Sequence, residues 1–172
     1  MMKTLLLMRH AKSSWKKPLP DHDRPLNKRG RKAAKKMGKW LKKVGWIPDL
    51  ILCSDALRAV ETARRVRKGL QREDIPIRTT PTLYAADADK IFDAIGTTQD
   101  SVDRLLVIAH NPGISETAVR ATGGKKTFTW MPTAAIVGLV CEIDRWKEIG
   151  KKAPARILFY RVPKSLEKKN AE

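Results

Sequence analysis

The chain has 172 residues, 42 % of them apolar, which is enough for one ordinary core and too few for several large domains. Its formal net charge of +18, from 36 Lys and Arg against 18 Asp and Glu, favours anionic partners: phosphorylated molecules, nucleic acid or an acidic membrane surface. The N-terminal apolar run Leu5-Leu6-Leu7-Met8 is too short for a signal-peptide core or a transmembrane span, no later stretch approaches membrane length, and Cys53 and Cys141 sit inside apolar runs as small buried hydrophobes, which suits a reducing cytoplasm.

Thr4 to Met8, stopped by Arg9-His10, is a continuous apolar run without alternation, the pattern of a strand covered on both faces. Residues 11 to 26, with Ser13, Ser14, three prolines and two aspartates, form a loop long enough to build a site. From the N-cap Asn27 to about Val44 the residues Ala33, Ala34, Met37, Trp40, Leu41 and Val44 keep helical spacing, and Gly45 ends it. A second buried strand, Asp49 to Cys53, leads through Ser54-Asp55 into a helix with Ala56, Val60, Ala63 and Leu70 inward. Pro76 to Thr80 is a third strand and Asp87 to Ile95 a third helix. The clearest buried strand is Leu105 to Ala109, ending at His110, after which Pro112 starts a helix closed by Gly123-Gly124. Phe128 to Trp130, Ala135 to Ile143 and Ala155 to Tyr160 read as three closing strands, partly antiparallel because no useful helix separates them. This predicts an α/β fold, a three-layer sandwich with a mostly parallel central sheet flanked by helices. Residues 1–163 form a single domain, and 164–172 a basic, mobile tail.

In open α/β sheets, sites form beyond the carboxyl ends of the parallel strands. Strand one delivers Arg9-His10, strand two delivers Ser54 with Arg58 one helical turn on, and the strong strand delivers His110 before a helix N-terminus. Each piece alone has a plainer reading: a strand-end pair, a solvated helix arginine, a hydrogen-bonded structural histidine. Together they make a cationic cup for a phosphoryl group, since guanidinium forks and unpaired helix N–H groups both favour phosphate oxygens.

Three stretches carry a resemblance. Arg9-His10-Ala11 followed by Trp15 resembles the Arg-His-Gly signature of the histidine phosphatase superfamily. The segment from Ser54 to Ala63 resembles its second motif, a serine, an arginine four later (Arg58) and a threonine four after that (Thr62), and Val107 to Pro112 resembles the third. Asp21 with Arg24-Pro25-Leu26 and Gly30 is similar to the small phosphohistidine phosphatase branch, the SixA type, and the likeness runs over roughly residues 3 to 160. It implies a phosphoglycerate mutase-like fold with a minimal cap, His10 as a nucleophile that becomes transiently phosphorylated, and Arg9, Arg58 and His110 as holders of the phosphoryl oxygens. Ser13 and Lys16 are further candidate phosphate contacts. No metal or other cofactor is expected, because the arginines supply the positive charge and no compact set of His, Cys or carboxylates has metal-ligand spacing.

The sequence departs from the family pattern in three places. Ala11 replaces the usual glycine and fits only if that position does not need φ > 0. Lys16 stands where many members carry an asparagine that contacts phosphate. After Pro81-Thr82-Leu83-Tyr84 no glutamate matches the acid of the larger mutase-like members, so Asp21 becomes the candidate acid. An imidazole leaving group, protonated near a pKa of about 6.5, asks less of an acid than an alkoxide does, which points to phosphohistidine as substrate. The expected partner is therefore a phosphorylated protein, a phosphorelay histidine domain among the candidates, or a small phosphorylated molecule. A phosphomonoesterase or pyrophosphatase of the same superfamily is the second reading. A nucleic-acid-binding protein is the rival from another class, disfavoured because the basic residues surround the 27–44 helix and only 6 % of residues are aromatic.

Overall fold

A computed structural model describes residues 1–170, with side chains described as far as Leu166. Its elements in chain order are β1 (Lys3–Arg9), α1 (Lys28–Val44), β2 (Leu50–Ser54), α2 (Leu57–Leu70), β3 (Ile77–Thr80), α3 (Ala88–Gly96), β4 (Arg104–Ala109), α4 (Gly113–Ala121), β5 (Ile136–Cys141), β6 (Arg156–Arg161) and α5 (Pro163–Asn170). Among the described residues these strands make one sheet in the order β3-β2-β4-β1-β5-β6. The pairs β3–β2, β2–β4 and β4–β1 are parallel, while β5 runs antiparallel to both β1 and β6.

Period-two alternation divides the apolar strand residues between the two faces of the sheet. Leu5, Leu7, Leu105 and Val107 pack with Ile91, Ile95, Ile114 and Ala118 of α3 and α4. Leu6, Met8, Leu106 and Ile108 pack with Met37, Leu41, Ala63 and Val66 of α1 and α2. Helices on both faces make the three layers, and they explain why β1 and β4 carry apolar residues without a break. On the second face α1 and α2 press closely together. A Cβ placed on Gly38 would lie 2.1 Å from the Val66 carbonyl oxygen, so only glycine permits that approach.

Helix α1 begins where its sequence signals place it. The Asn27 side chain accepts the Gly30 N–H at 2.7 Å, and Gly45 closes the helix in the left-handed region at φ 80°. One expectation needs correction: Phe128 to Trp130 is not a strand. Lys126–Phe128 is a single 3-10 turn, and Phe128 is a buried plug set edge-on against Tyr160 with ring centres 5.2 Å apart. The backbone here turns on itself instead of pairing: Phe128 N–H donates to Lys125 O at 3.3 Å and Thr129 N–H to Lys126 O at 3.1 Å. The tail expected from residue 164 enters α5, with Leu166 buried on the α1–α2 side, and residues 171 and 172 lie outside the described residues. No described helix is long and apolar enough to cross a membrane.

Candidate active site

Strand order decides which residues meet. Because β2, β4 and β1 are consecutive and parallel, their carboxyl ends deliver Ser54, His110 and His10 side by side. The β1–β4 ladder continues past its last pair, Arg9 opposite Ala109, through His10 N–H donating to Ala109 O at 3.1 Å. On the other side Arg9 N–H reaches Ala135 O at 3.2 Å, and Ala134 N–H bridges the carbonyls of Arg9 and His10 at 3.1 Å each. The backbone of the Arg9-His10 pair is thus tied from both flanks.

His10 is 7 % exposed. Its Nδ1 stands 2.7 Å from the Ala11 carbonyl, which can only accept, so Nδ1 carries the hydrogen and Nε2 keeps its lone pair. Burial, with the cations Arg58, Arg9 and Arg24 adding to it and the Ala11 bond opposing, lowers its pKa to about 4. The ring of His110 lies 5.1 Å from that of His10, centre to centre. Burial, then His10 and Arg58, lower the His110 pKa to about 3. Its Nε2 bonds Ser54 Oγ at 2.8 Å, and that hydroxyl oxygen also accepts the Ala56 N–H at 3.1 Å. Both imidazoles are therefore neutral near pH 7.

Arg58 is buried at the start of α2 and is held by Asp21, its Nη1 donating to the backbone oxygen at 2.7 Å and its Nη2 to Oδ2 at 3.0 Å. Asp21 also accepts from Arg24 Nε at 3.3 Å and from Tyr84 Oη at 2.7 Å. The phenol bond first, joined by the bond and charge of Arg58 and the bond from Arg24, holds its carboxyl at about 2 although burial pushes the other way. The expected acid is thus ionised in this arrangement. Arg9 donates from Nη1 to Met131 O at 3.2 Å, an oxygen that also accepts Asn111 Nδ2 at 2.8 Å, and Met131 N–H is held by Ser115 Oγ at 2.9 Å. Three buried nitrogens of the cluster, Arg9 Nε, Arg58 Nε and His110 Nδ1, have no hydrogen-bond partner. Buried donors without partners are costly in a dry interior, and an anion is the ligand that would satisfy them.

Ser13 enters through Arg24, whose Nη1 donates to its Oγ at 2.8 Å. Lys16 is exposed, and the bond it makes is from its backbone N–H to Ser14 Oγ at 3.2 Å, so it stands outside the network. Thr62 Oγ1 donates to the Arg58 carbonyl at 2.7 Å and accepts the Ala11 N–H at 3.0 Å, tying α2 to the residue after the histidine. Ala11 is buried and is not among the residues with positive φ, so a side chain fits where the family has glycine. Gly30 explains how α1 backs onto this turn, since a Cβ there would sit 2.1 Å from Lys12 O.

Sequence reasoning gave no role to Tyr84 or to the pair formed by His22 and Asp55. Tyr84 ends the Pro81-Thr82-Leu83-Tyr84 segment after which no matching glutamate comes, and it follows β3 at the same edge of the sheet. His22 Nε2 meets Asp55 Oδ1 at 3.0 Å, which raises the His22 pKa, and its ring lies edge-on to Tyr84 at 4.8 Å. No group of three or more metal-ligating side chains occurs among the described residues.

A family model described as the histidine phosphatase superfamily (branch 1) matches residues 5–91. An uncharacterized protein of Mycobacterium leprae (strain TN) is 34 % identical over 168 residues, covering 91 % of this chain and 100 % of that protein. Among solved structures, a Nakamurella multipartitia protein named provisionally as a phosphohistidine phosphatase SixA matches with a TM-score of 0.80 at 26 % identity, covering 95 % of this chain and 97 % of that one. The protein histidine phosphatase SixA complexed with tungstate matches at 0.77 and 23 % identity, covering 95 % and 99 %, a likeness of fold.

Proposed function

Since the chain belongs to the histidine phosphatase superfamily, we propose that it is a phosphohistidine phosphatase that moves a phosphoryl group from a histidine of a protein to His10 Nε2 and then to water. The observation that carries this reading is the Nδ1 bond of His10 to Ala11 O, which leaves Nε2 unprotonated in a site that disfavours imidazolium. The Nε2 lone pair attacks phosphorus while the bond from phosphorus to the substrate nitrogen breaks, its electron pair returning to an imidazole that departs neutral when its other nitrogen carries a proton. Water then attacks phospho-His10. The P–N bond breaks back to Nε2, and the water supplies the new P–OH and one proton to a phosphate oxygen.

Arg9, Arg58 and His110 hold the phosphoryl oxygens through both steps, so this site's own cations supply the electrostatic stabilisation and no metal is invoked. Asp21 acts here by holding Arg58 and Arg24 in place. Held at about 2, it has no proton to give near neutral pH. A nitrogen leaving group needs none, which fits a phosphorylated phosphorelay histidine domain better than a phosphate ester. The deciding measurement compares turnover of a histidine-phosphorylated protein with that of a phosphoserine peptide and a sugar phosphate. We expect a preference for the P–N substrate of at least about tenfold in kcat/KM; a preference for the oxygen esters would retire the reading.

The lowered histidine pKa values set a pH dependence. Only neutral His10 can attack, and its pKa near 4 keeps it neutral across the ordinary range, so phosphoenzyme formation stays level as pH falls below the usual 6.5 and drops only toward about 4. Stability behaves differently. The unfolded chain takes up protons on His10 and His110 near 6.5, the folded chain only near 4 and 3. Below 6.5 the unfolded state therefore binds more protons, and the stability present above that pH is progressively lost as pH falls toward 4. Denaturant midpoints from pH 8 to pH 4, beside rapid-quench labelling over the same range, separate the two curves; coincident curves would contradict the assignment of a neutral nucleophile.

A further inference from the structure

Two tryptophans stand in the open beside this site, Trp15 at 77 % and Trp130 at 60 % exposure. Neither is loose. The guanidinium carbon of Arg24 lies 3.4 Å from the ring centre of Trp15, and that of Arg9 lies 5.4 Å from Trp130. They come from separate loops, one between β1 and α1 and one between α4 and β5, and each is close in sequence to exposed lysines: Lys16 and Lys17 beside Trp15, Lys125 and Lys126 before Trp130. Each loop thus presents an exposed indole set against a guanidinium group of the site, with a pair of exposed lysines close to it in sequence. His10, Arg58 and His110, at 6–7 % exposure, lie below that surface. A phosphoryl group alone is served by the cluster and gives the indoles nothing to do.

We propose that Trp15 and Trp130 are docking anchors for a folded phosphoprotein, whose surface is apolar next to the phosphorylated side chain and acidic around it. The inference rests on the phosphoprotein reading above. Exposed indoles already held on guanidinium groups lose little freedom on binding and bury large apolar areas, the combination found at interface hot spots. The net charge of +18 and the flanking lysines call for an acidic partner. A polynucleotide is the other polyanion that aromatic and basic residues could hold. It is disfavoured because Trp15 gives one ring face to Arg24, and because Asp23 and Asp55, 63 % and 33 % exposed in their side chains, stand beside His22 where a phosphate backbone would meet them.

The test uses the full chain, Trp15→Ala, Trp130→Ala and the double variant. Two substrates are compared, a histidine-phosphorylated phosphorelay domain and phosphoramidate, a P–N compound too small to span a surface. The double variant is expected to raise KM for the protein about tenfold or more with kcat unchanged, and to leave phosphoramidate kinetics within about twofold. Equal losses on both substrates would overturn docking and make the indoles supports of Arg9 and Arg24. Unchanged kinetics on both would overturn it too. So would inhibition by a single-stranded oligonucleotide that disappears in the double variant, which would assign the surface to nucleic acid. If the unsubstituted chain turns over phosphoramidate and not the phosphoprotein, the substrate reading itself falls, and docking with it; variants that match an active unsubstituted chain defeat the docking inference alone.

Discussion

A His10→Ala variant is expected to lose phosphatase turnover by on the order of 10⁵-fold, down to background, together with all acid-labile, base-stable phosphoenzyme label. The size of the effect follows from what the side chain supplies. His10 brings the one ring nitrogen whose lone pair is left open by a neighbouring backbone bond, at the end of a strand tied on both flanks. His110 does not substitute for it, because its Nε2 is engaged with Ser54 Oγ. Alanine leaves the strand ladder intact, since the bonds holding this position run through the His10 backbone, so circular dichroism and thermal midpoint should report a folded protein. Rapid-quench labelling followed by acid and base treatment is the check. Label retained in a folded His10→Ala protein would move the nucleophile elsewhere, and a His10→Ala, His110→Ala pair would then show whether the second imidazole carries it.

Arg58→Lys is expected to reduce kcat/KM by about 10²–10³-fold, the range seen when one preorganised donor to developing charge is removed. The charge is conserved, so the loss measures geometry. Arg58 spans from Asp21 to the cluster with a planar fork, donating Nη1 and Nη2 to the aspartate while Nε remains without a partner. A lysine ammonium has donors but no planar fork, so it cannot reproduce the two-point hold on Asp21 while keeping a further nitrogen aimed at a phosphoryl oxygen. Most of the loss should appear in kcat, because the arginine is asked to act where charge accumulates in transfer. A change confined to KM would make Arg58 a ground-state binder only. Isothermal titration with inorganic phosphate, run beside steady-state kinetics, distinguishes the two.

The layered fold was legible in the sequence because its strands are covered on both faces. Leu5 to Met8 and Leu105 to Ala109 are unbroken apolar runs, and burial in a sheet between helices is what such runs need. The start of α1 was legible through Asn27 and its end through Gly45, since caps are local signals. Phe128 to Trp130 misled for the opposite reason. Two aromatic residues and a threonine have strand propensity, yet Phe128 contributes by filling a hole, and propensity cannot tell a plug from a pleat. At the site, Arg9, His10, Ser54, Arg58 and His110 could be placed together because each ends or follows a strand. The contacts of Asp21 could not. It meets Arg58 and Tyr84 across separations of 37 and 63 residues, through a loop whose path depends on tertiary contacts such as Ser14 N–H to Pro25 O. The same dependence hid the pairing of His22 with Asp55.

The 5.1 Å between the two imidazole centres is close to the spacing of adjacent strands in any sheet, about 4.8 Å. His10 and His110 follow directly on Arg9 and Ala109, which face each other across the ladder. The positions from which the two rings project are therefore set by backbone hydrogen bonds that any residue but proline can make. The loops with Asp21, Trp15 and Trp130 sit outside that ruler. Such a division lets the rim of the pocket be rewritten for a new phosphorylated molecule, residue by residue, while the spacing of the two imidazoles stays the same.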